Sequence, residues 1–84
     1  MALYYLARLN VEMKSYEKSK EYYLRVIDIR PNFEPALLDM GTLYEVEGDF
    51  DKAVVYYQKI VSFDPLNKKA RSRIATIFVK KKQY

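Results

Sequence analysis

Hydrophobic positions recur along this chain at the three- and four-residue spacings that are typical of one face of an α-helix. The first stripe, at positions i, i+3, i+4 and i+7, consists of Leu3, Leu6, Ala7 and Asn10. The same stripe returns as Leu37, Met40, Gly41 and Tyr44. A further stripe consists of Phe50, Ala53, Tyr57, Ile60 and Val61. The pattern predicts an all-α chain built from amphipathic helices.

Turn signals separate these stripes. Gly48 is the residue best suited to a left-handed turn, and Asp49 and Ser15 stand where each can cap the helix that follows. The pairs Arg30-Pro31 and Asp64-Pro65 are expected to end helices, because the residue before a proline is disfavoured in the α conformation. The predicted unit is a helix, a turn, a second helix and a turn marked by proline.

The unit repeats when the chain is shifted by 34 residues. The shift superimposes residues of the same size and polarity, most clearly Ala2 on Ala36 and Ala70, Leu3 on Leu37, Leu6 on Met40 and Ile74, Leu9 on Leu43 and Ile77, and Pro31 on Pro65. Such a period indicates stacked helical hairpins. We therefore predict a single domain with repeat one at residues 1–33, repeat two at 34–67, and a partial repeat or capping helix at 68–84.

This organisation resembles the tetratricopeptide repeat family, whose helix-turn-helix carries large, small, aromatic and proline residues at fixed positions. In repeat two these positions are Leu37, Met40, Gly41, Tyr44, Gly48, Phe50, Ala53, Tyr57 and Pro65. The resemblance implies a right-handed solenoid of five helices, an α-α superhelix. It also implies an interaction scaffold, which binds a peptide or protein segment in a concave groove lined by the first helix of each repeat.

Several residues depart from the family pattern. Asn10 stands where an aromatic residue is usual, so its amide should need a hydrogen-bond partner on a buried stripe. Lys14 and Lys82 replace the turn glycine, and holding a non-glycine residue in the left-handed conformation costs about 1–2 kcal/mol.

The resemblance places a set of residues on the proposed concave groove. They come from the first helix of each repeat and mix apolar side chains with charged ones, as an extended or helical peptide would require. The predicted groove residues are Tyr4, Arg8, Val11, Glu12, Leu38, Asp39, Thr42, Glu45, Val46, Lys69, Ser72, Arg73, Thr76, Val79 and Lys80.

Lys69 and Arg73 resemble half of the carboxylate clamp with which tetratricopeptide co-chaperones hold the acidic tail of a heat-shock chaperone. The other half needs a lysine and two asparagines, and Tyr4, Arg8 and Asp39 stand in those places. Asp39 would repel a carboxylate or pair with Arg73. The alternative interpretation of Lys69 and Arg73 is a pair of solvated charges on a helix surface.

Composition narrows the possible chemistry. The chain has no cysteine and no histidine, which removes thiolate and imidazole metal ligands and the usual nucleophile and general base. We therefore expect no enzyme activity and no cofactor. No apolar run is long enough to span a bilayer and no secretory signal is recognisable, so we expect a cytoplasmic protein. Tyrosines at family core positions, including Tyr23 and Tyr57, are interpreted as packing residues.

The net charge of +4 belongs to the C-terminal segment. Residues 68–84 contain seven Lys or Arg and no acid, whereas residues 1–67 have eight basic and eleven acidic residues. The run Lys80-Lys81-Lys82 has two interpretations. It could attract nucleic acid or an anionic membrane, which is the alternative function. It could instead be the polar end of a helix, where cations interact favourably with the helix dipole, and this second interpretation is preferred.

The two ends of the repeat array carry apolar residues without an obvious partner, namely Leu6 and Leu9 at one end and Ala75 and Phe78 at the other. We expect that the chain belongs to a longer solenoid or self-associates through an end, for example by exchanging its last helix. A third functional alternative is a structural spacer within such a solenoid. A protein or peptide partner remains the leading expectation.

Overall fold

Residues 2–82, which the computed structural model describes, form five α-helices and no strand. The helices are α1 (Ala2–Glu12), α2 (Tyr16–Ile29), α3 (Glu34–Val46), α4 (Phe50–Phe63) and α5 (Lys68–Lys82). Short turns join them, and α2 and α4 end immediately before Arg30-Pro31 and Asp64-Pro65. The predicted helix ends at the two prolines are confirmed.

Each helix packs against its neighbours in the chain, and the described part measures 37 × 27 × 16 Å. This elongated stack of helical hairpins is a repeat solenoid. Its two clusters of buried side chains meet at α3: the first joins α1, α2 and α3, and the second joins α3, α4 and α5. Because α3 contributes to both clusters, it fixes the position of one hairpin relative to the next helix.

Close packing of helix pairs depends on small residues at their contact. Ser19 of α2 is fully buried, and its hydroxyl donates to the backbone carbonyl of Ala7 on α1 over 2.8 Å. Ala53 holds the equivalent position in α4 and is also fully buried. A buried hydroxyl without a partner would be costly, so the Ala7 carbonyl makes serine acceptable at this contact.

The turns confirm part of the prediction and correct the rest. Gly48 has φ +83° and Lys14 has φ 60°, so both take the left-handed conformation. Asp49 accepts a hydrogen bond from the backbone N–H of Lys52 at 3.3 Å, as expected for a helix cap. Ser15 occupies the N-cap position, but its side chain makes no capping bond, so the predicted cap is wrong. The prediction that Lys82 takes the left-handed conformation is wrong, because Lys82 lies within α5.

Asn10 is buried, with 7% of its surface exposed, and its amide donates to the carbonyl of Leu6 over 2.8 Å. The need for a hydrogen-bond partner is thus confirmed, and a residue of the same helix supplies it. The expected lack of cover at the two ends is also confirmed: Leu6, Leu9 and Phe78 are between 40% and 52% exposed, and Ala75 is exposed. Self-association through these ends stays a prediction.

Candidate functional site

The first helices of the repeats, α1, α3 and α5, share a surface with two adjoining depressions. The first depression is lined by Arg8, Val11, Glu12, Tyr23, Asp39, Thr42 and Leu43. The second is lined by Leu38, Thr42, Lys68, Lys69, Ser72 and Arg73. Thr42 lines both, so the two form one continuous surface across the three helices. We refer to this surface as the groove.

Asp39 lies in the first depression and is held by two tyrosines. The hydroxyl of Tyr23 donates to Asp39 Oδ2 at 2.8 Å, and that of Tyr4 donates to the same oxygen at 3.4 Å. Tyr23 comes from α2, the second helix of its hairpin, and its buried ring passes between α1 and α3 to reach the groove. A core side chain therefore determines the orientation of a charged group on the surface.

Both tyrosines remain protonated donors at neutral pH. Burial raises the pKa of Tyr23 well above the ordinary value of a phenol, and the hydrogen bond and negative charge of Asp39 raise it further. Burial followed by the charge of Asp39 raises the pKa of Tyr4 as well. Ionising either phenol would place a second negative charge beside the Asp39 carboxylate, which explains the direction of both shifts.

The second depression has basic side chains at its rim and an apolar side chain at its base. Lys68, Lys69 and Ser72 of α5 are exposed, and Leu38 of α3 is half-buried against the second core cluster. Lys68 and Lys69 form no ion pair with residues 2–82. Their ammonium groups are therefore available to a ligand.

Glu45 does not lie on the groove surface, where the sequence predicts it. Its carboxylate is buried, with 7% of the side chain exposed, and it accepts from Tyr57 OH at 3.0 Å. Lys80 Nζ lies 3.0 Å from Glu45 Oε2 and Arg73 Nη1 lies 3.5 Å from the same oxygen. These contacts join α3, α4 and α5. Glu45 is thus a structural tie between helices and is not available on the groove surface.

The remaining predicted groove residues take varied places. Arg8, Val11, Glu12, Asp39 and Thr42 line the first depression, and Leu38, Thr42, Lys69, Ser72 and Arg73 line the second. Besides Glu45, five predicted residues line neither depression: Tyr4, Val46, Thr76, Val79 and Lys80. Tyr4 orients Asp39, Lys80 pairs with Glu45, and the Thr76 hydroxyl donates to the Ser72 carbonyl. Whether the lining residues bind a ligand stays a prediction.

Two interpretations from the sequence require correction. Asp39 does not pair with Arg73, because its partners are the two tyrosines and Arg73 lies against Glu45. The resemblance to half a carboxylate clamp is weakened by this pairing, since the Arg73 guanidinium already faces an acid. In the C-terminal run, Lys80 pairs with Glu45 and Lys81 with Asp51 at 2.7 Å. These ion pairs favour the interpretation of the run as the polar end of a helix.

The groove residues missed by the sequence analysis are Tyr23, Leu43 and Lys68. Tyr23 and Leu43 stand on buried stripes, and only the tip or edge of each reaches the surface. Lys68 is adjacent to Lys69, so the density of basic residues at the start of α5 was the signal available for it.

The buried phenol of Tyr57 predicts a dependence of stability on alkaline pH. Burial raises the pKa of Tyr57 to about 12, and the charge of Glu45 acts in the same direction. Between its unfolded pKa of about 10 and this value, the folded state keeps a proton that the unfolded state has lost. The free energy of unfolding should therefore be unaffected by this group below about pH 10 and fall as the pH rises towards 12.

Urea unfolding of the wild type and of Tyr57→Phe, followed from neutral to strongly alkaline pH, isolates this contribution from that of the lysines. We expect a shallower decline in the variant above about pH 10. Parallel declines in the two proteins would show that Tyr57 does not cause the effect.

The groove offers hydrogen-bond acceptors, cations and apolar surface rather than reactive groups. No cluster of three or more acidic residues in the described part of the chain could hold a metal ion. Within residues 2–82, no helix combines the length and apolar character needed to cross a bilayer. The chemistry of this surface is that of non-covalent contact, through hydrogen bonds, ion pairs and apolar burial.

Comparisons with known proteins agree with the repeat seen in the fold. Two sequence models described as tetratricopeptide repeat match the chain, one over residues 2–33 and one over residues 35–67. E3 SUMO-protein ligase RanBP2 of Homo sapiens is 34% identical over 77 residues, which is 92% of this chain and 2% of that protein. The protein of the same name from Pan troglodytes gives the same values.

RanBP2-like and GRIP domain-containing protein 3 of Homo sapiens is also 34% identical over 77 residues, which is 92% of this chain and 4% of that protein. The chain thus spans 2% to 4% of the length of these curated relatives. The similarity concerns a short segment of each of these proteins.

Proposed function

Because the chain belongs to the tetratricopeptide repeat family, whose repeats generally mediate protein–protein interaction, we propose that it is an interaction scaffold that binds a peptide or protein segment in the groove. The family is a class of non-enzymatic scaffolds. The likeness to RanBP2 extends over 2% of that protein, so it supports the repeat assignment and transfers no ligase activity.

The observation that carries this proposal is the continuity of the two depressions. They share Thr42 and together cross α1, α3 and α5. A surface that spans three helices can contact several successive residues of an extended segment. Each contact is weak, but together they can give a measurable affinity. Leu38 provides apolar surface at the base of the second depression, where it can bury part of a ligand side chain. The ammonium groups of Lys68 and Lys69 and the carboxylate of Asp39 provide directional charged contacts.

The alternative of a basic surface for nucleic acid or an anionic membrane receives less support. Lys80 and Lys81 are engaged in ion pairs with Glu45 and Asp51, which reduces the free positive charge of the C-terminal run. The groove also presents two carboxylates, Glu12 and Asp39, which would repel a phosphate backbone. A spacer role without a ligand is the outcome if the experiment below finds no groove-dependent binding.

Filling the second depression tests the proposal. Peptides would be selected from a random library displayed on phage, and their affinities measured for the wild type and for Ser72→Trp. Ser72 is exposed and lines the depression, so the indole should exclude the ligand without disturbing the core. We expect the dissociation constant of the selected peptides to rise at least about tenfold, which corresponds to 1.4 kcal/mol.

Ser62→Trp provides a matched control, since Ser62 is an exposed serine on α4 that lines neither depression. This variant should bind the selected peptides as the wild type does. Equal binding by Ser72→Trp and Ser62→Trp would contradict the assignment of the ligand to the groove.

A further inference from the structure

The charges of the groove are divided between its two depressions. The first depression contains the carboxylates of Glu12 and Asp39 together with the guanidinium of Arg8. The second contains three cations, Lys68, Lys69 and Arg73, of which only Arg73 faces an acid in residues 2–82. Electrostatic complementarity of this kind selects partners more than it adds raw affinity. A segment of uniform charge would be attracted by one depression and repelled by the other.

The Asp39 carboxylate is positioned to accept a hydrogen bond from a ligand. Both tyrosine hydroxyls donate to Oδ2, while Oδ1 accepts no hydrogen bond from any residue in the described range 2–82. No cation of that range lies within 4.0 Å of the Asp39 carboxylate. The carboxylate is therefore oriented by two tyrosines and forms no direct ion pair, while the Arg8 guanidinium lines the same depression. A bond from a charged donor to such a fixed acceptor loses little conformational freedom.

The walls around Asp39 suit the long side chain of a lysine or an arginine. The Tyr23 ring is buried, with 1% of its surface exposed, so it presents its hydroxyl rather than a ring face to the depression. Val11 and Leu43 line the same depression and can cover an aliphatic stem. Arg8 is the opposing feature, because its guanidinium lies 5.8 Å from the Tyr4 ring and would repel an incoming cation.

We propose that the ligand is a polypeptide segment of mixed charge, with a lysine or arginine side chain bound at Asp39 and an aspartate or glutamate side chain bound at Lys68 and Lys69. This inference rests on the proposed function and specifies its ligand. The two depressions adjoin at Thr42 of α3, so the two charged residues of the ligand are expected to be close in its sequence. An extended chain advances about 3.3 Å per residue, and we propose a separation of three positions, about 10 Å.

The probes are four pools of fluorescent eight-residue peptides with randomised apolar positions. They contain Lys-x-x-Glu, Glu-x-x-Lys, Glu-x-x-Glu or Lys-x-x-Lys, and fluorescence anisotropy at low salt gives their affinities for the chain. Both mixed orders are included because a segment can lie in the groove in either direction. We expect one mixed pool to bind about tenfold more tightly than either pool of uniform charge.

Charge-neutralising variants identify the groups responsible. Asp39→Asn retains an oxygen that accepts from Tyr23 but loses the negative charge, and should weaken the preferred mixed pool about tenfold. Asp28→Asn changes the net charge equally at an exposed residue of α2 outside the groove, and should leave binding unchanged. Arg8→Gln should strengthen binding of the same pool, since it removes a repulsion.

The outcomes separate this proposal from the groove proposal. If peptides bind and Ser72→Trp blocks them while Asp39→Asn does not, the groove is the site and the mixed-charge ligand is wrong. A preference of the wild type for Glu-x-x-Glu over both mixed pools would also overturn the mixed-charge ligand. If the binding of library-selected peptides is insensitive to Ser72→Trp, both proposals fail. If those peptides bind in the groove but none of the four pools binds, only the mixed-charge ligand is wrong.

Discussion

Replacing Tyr57 by alanine should lower the free energy of unfolding by about 3–5 kcal/mol, which is the range for truncating a large buried aromatic side chain. Tyr57 is fully buried at the centre of the second core cluster, with Leu37, Ala53 and Ile60 among its members. Its hydroxyl also donates to the buried carboxylate of Glu45 at 3.0 Å. The variant would therefore leave a cavity and remove a donor from a buried charge.

Chemical denaturation followed by circular dichroism measures this change. Tyr5→Ala is the matched control, because Tyr5 is 67% exposed, and its effect should be within about 0.5 kcal/mol. If Tyr57→Ala does not fold, Tyr57→Phe retains the ring and should show the smaller loss of the hydroxyl alone, about 1–3 kcal/mol. Similar stabilities for Tyr57→Ala and Tyr5→Ala would contradict the central place of Tyr57 in the core.

Gly41→Val should destabilise the chain by about 3 kcal/mol, at the upper end of the range for overpacking. A Cβ atom added at Gly41 would meet the Tyr57 ring, with Cζ at 2.7 Å, Cδ1 at 2.8 Å and Cε1 also in contact. The Tyr57 ring is fully buried, so it cannot turn out into solvent to relieve this contact. Gly41 is thus required because α3 and α4 approach closely at this point.

A double-mutant cycle checks that the Tyr57 ring causes this effect. In a Tyr57→Leu background the smaller side chain leaves room, so Gly41→Val should cost at least about 1 kcal/mol less than in the wild type. Gly48→Ala serves as a comparison, because a Cβ there meets nothing within 4 Å and any cost comes from its φ of +83°. Additive effects of Gly41→Val and Tyr57→Leu would contradict the steric explanation.

The architecture could be predicted from the sequence because its determinants are local and periodic. Small residues recur at the 34-residue period as Ala7 and Gly41 and as Ser19 and Ala53, and a tyrosine recurs as Tyr23 and Tyr57. Their positions encode both the helix faces and the close contacts.

The errors lie at helix ends. The carbonyl of Ser15 accepts the first backbone bond of α2 from Ser19, as the carbonyl of Asp49 does from Ala53, but only the Asp49 side chain adds a capping bond. Residue type alone does not decide whether a side chain at this position forms its capping bond.

The candidate site was less predictable because it depends on partners far apart in the chain. Glu45 has the sequence position of a groove residue, yet Tyr57, Arg73 and Lys80 all converge on its carboxylate. Tyr23 has the position of a core residue, yet its hydroxyl emerges beside Asp39. A tyrosine is long enough to pack its ring in the core and present its oxygen at the surface. Helical periodicity predicts the face of a residue but not its hydrogen-bond partner.

The central claim is that a polypeptide ligand lies across α1, α3 and α5. Amide chemical-shift changes in the isotope-labelled chain, recorded while a library-selected peptide is added, test this most directly. The largest changes are expected along the groove, at Arg8, Thr42 and Ser72. Changes confined to the exposed residues Leu24 of α2 and Val55 of α4, which line neither depression, would contradict it.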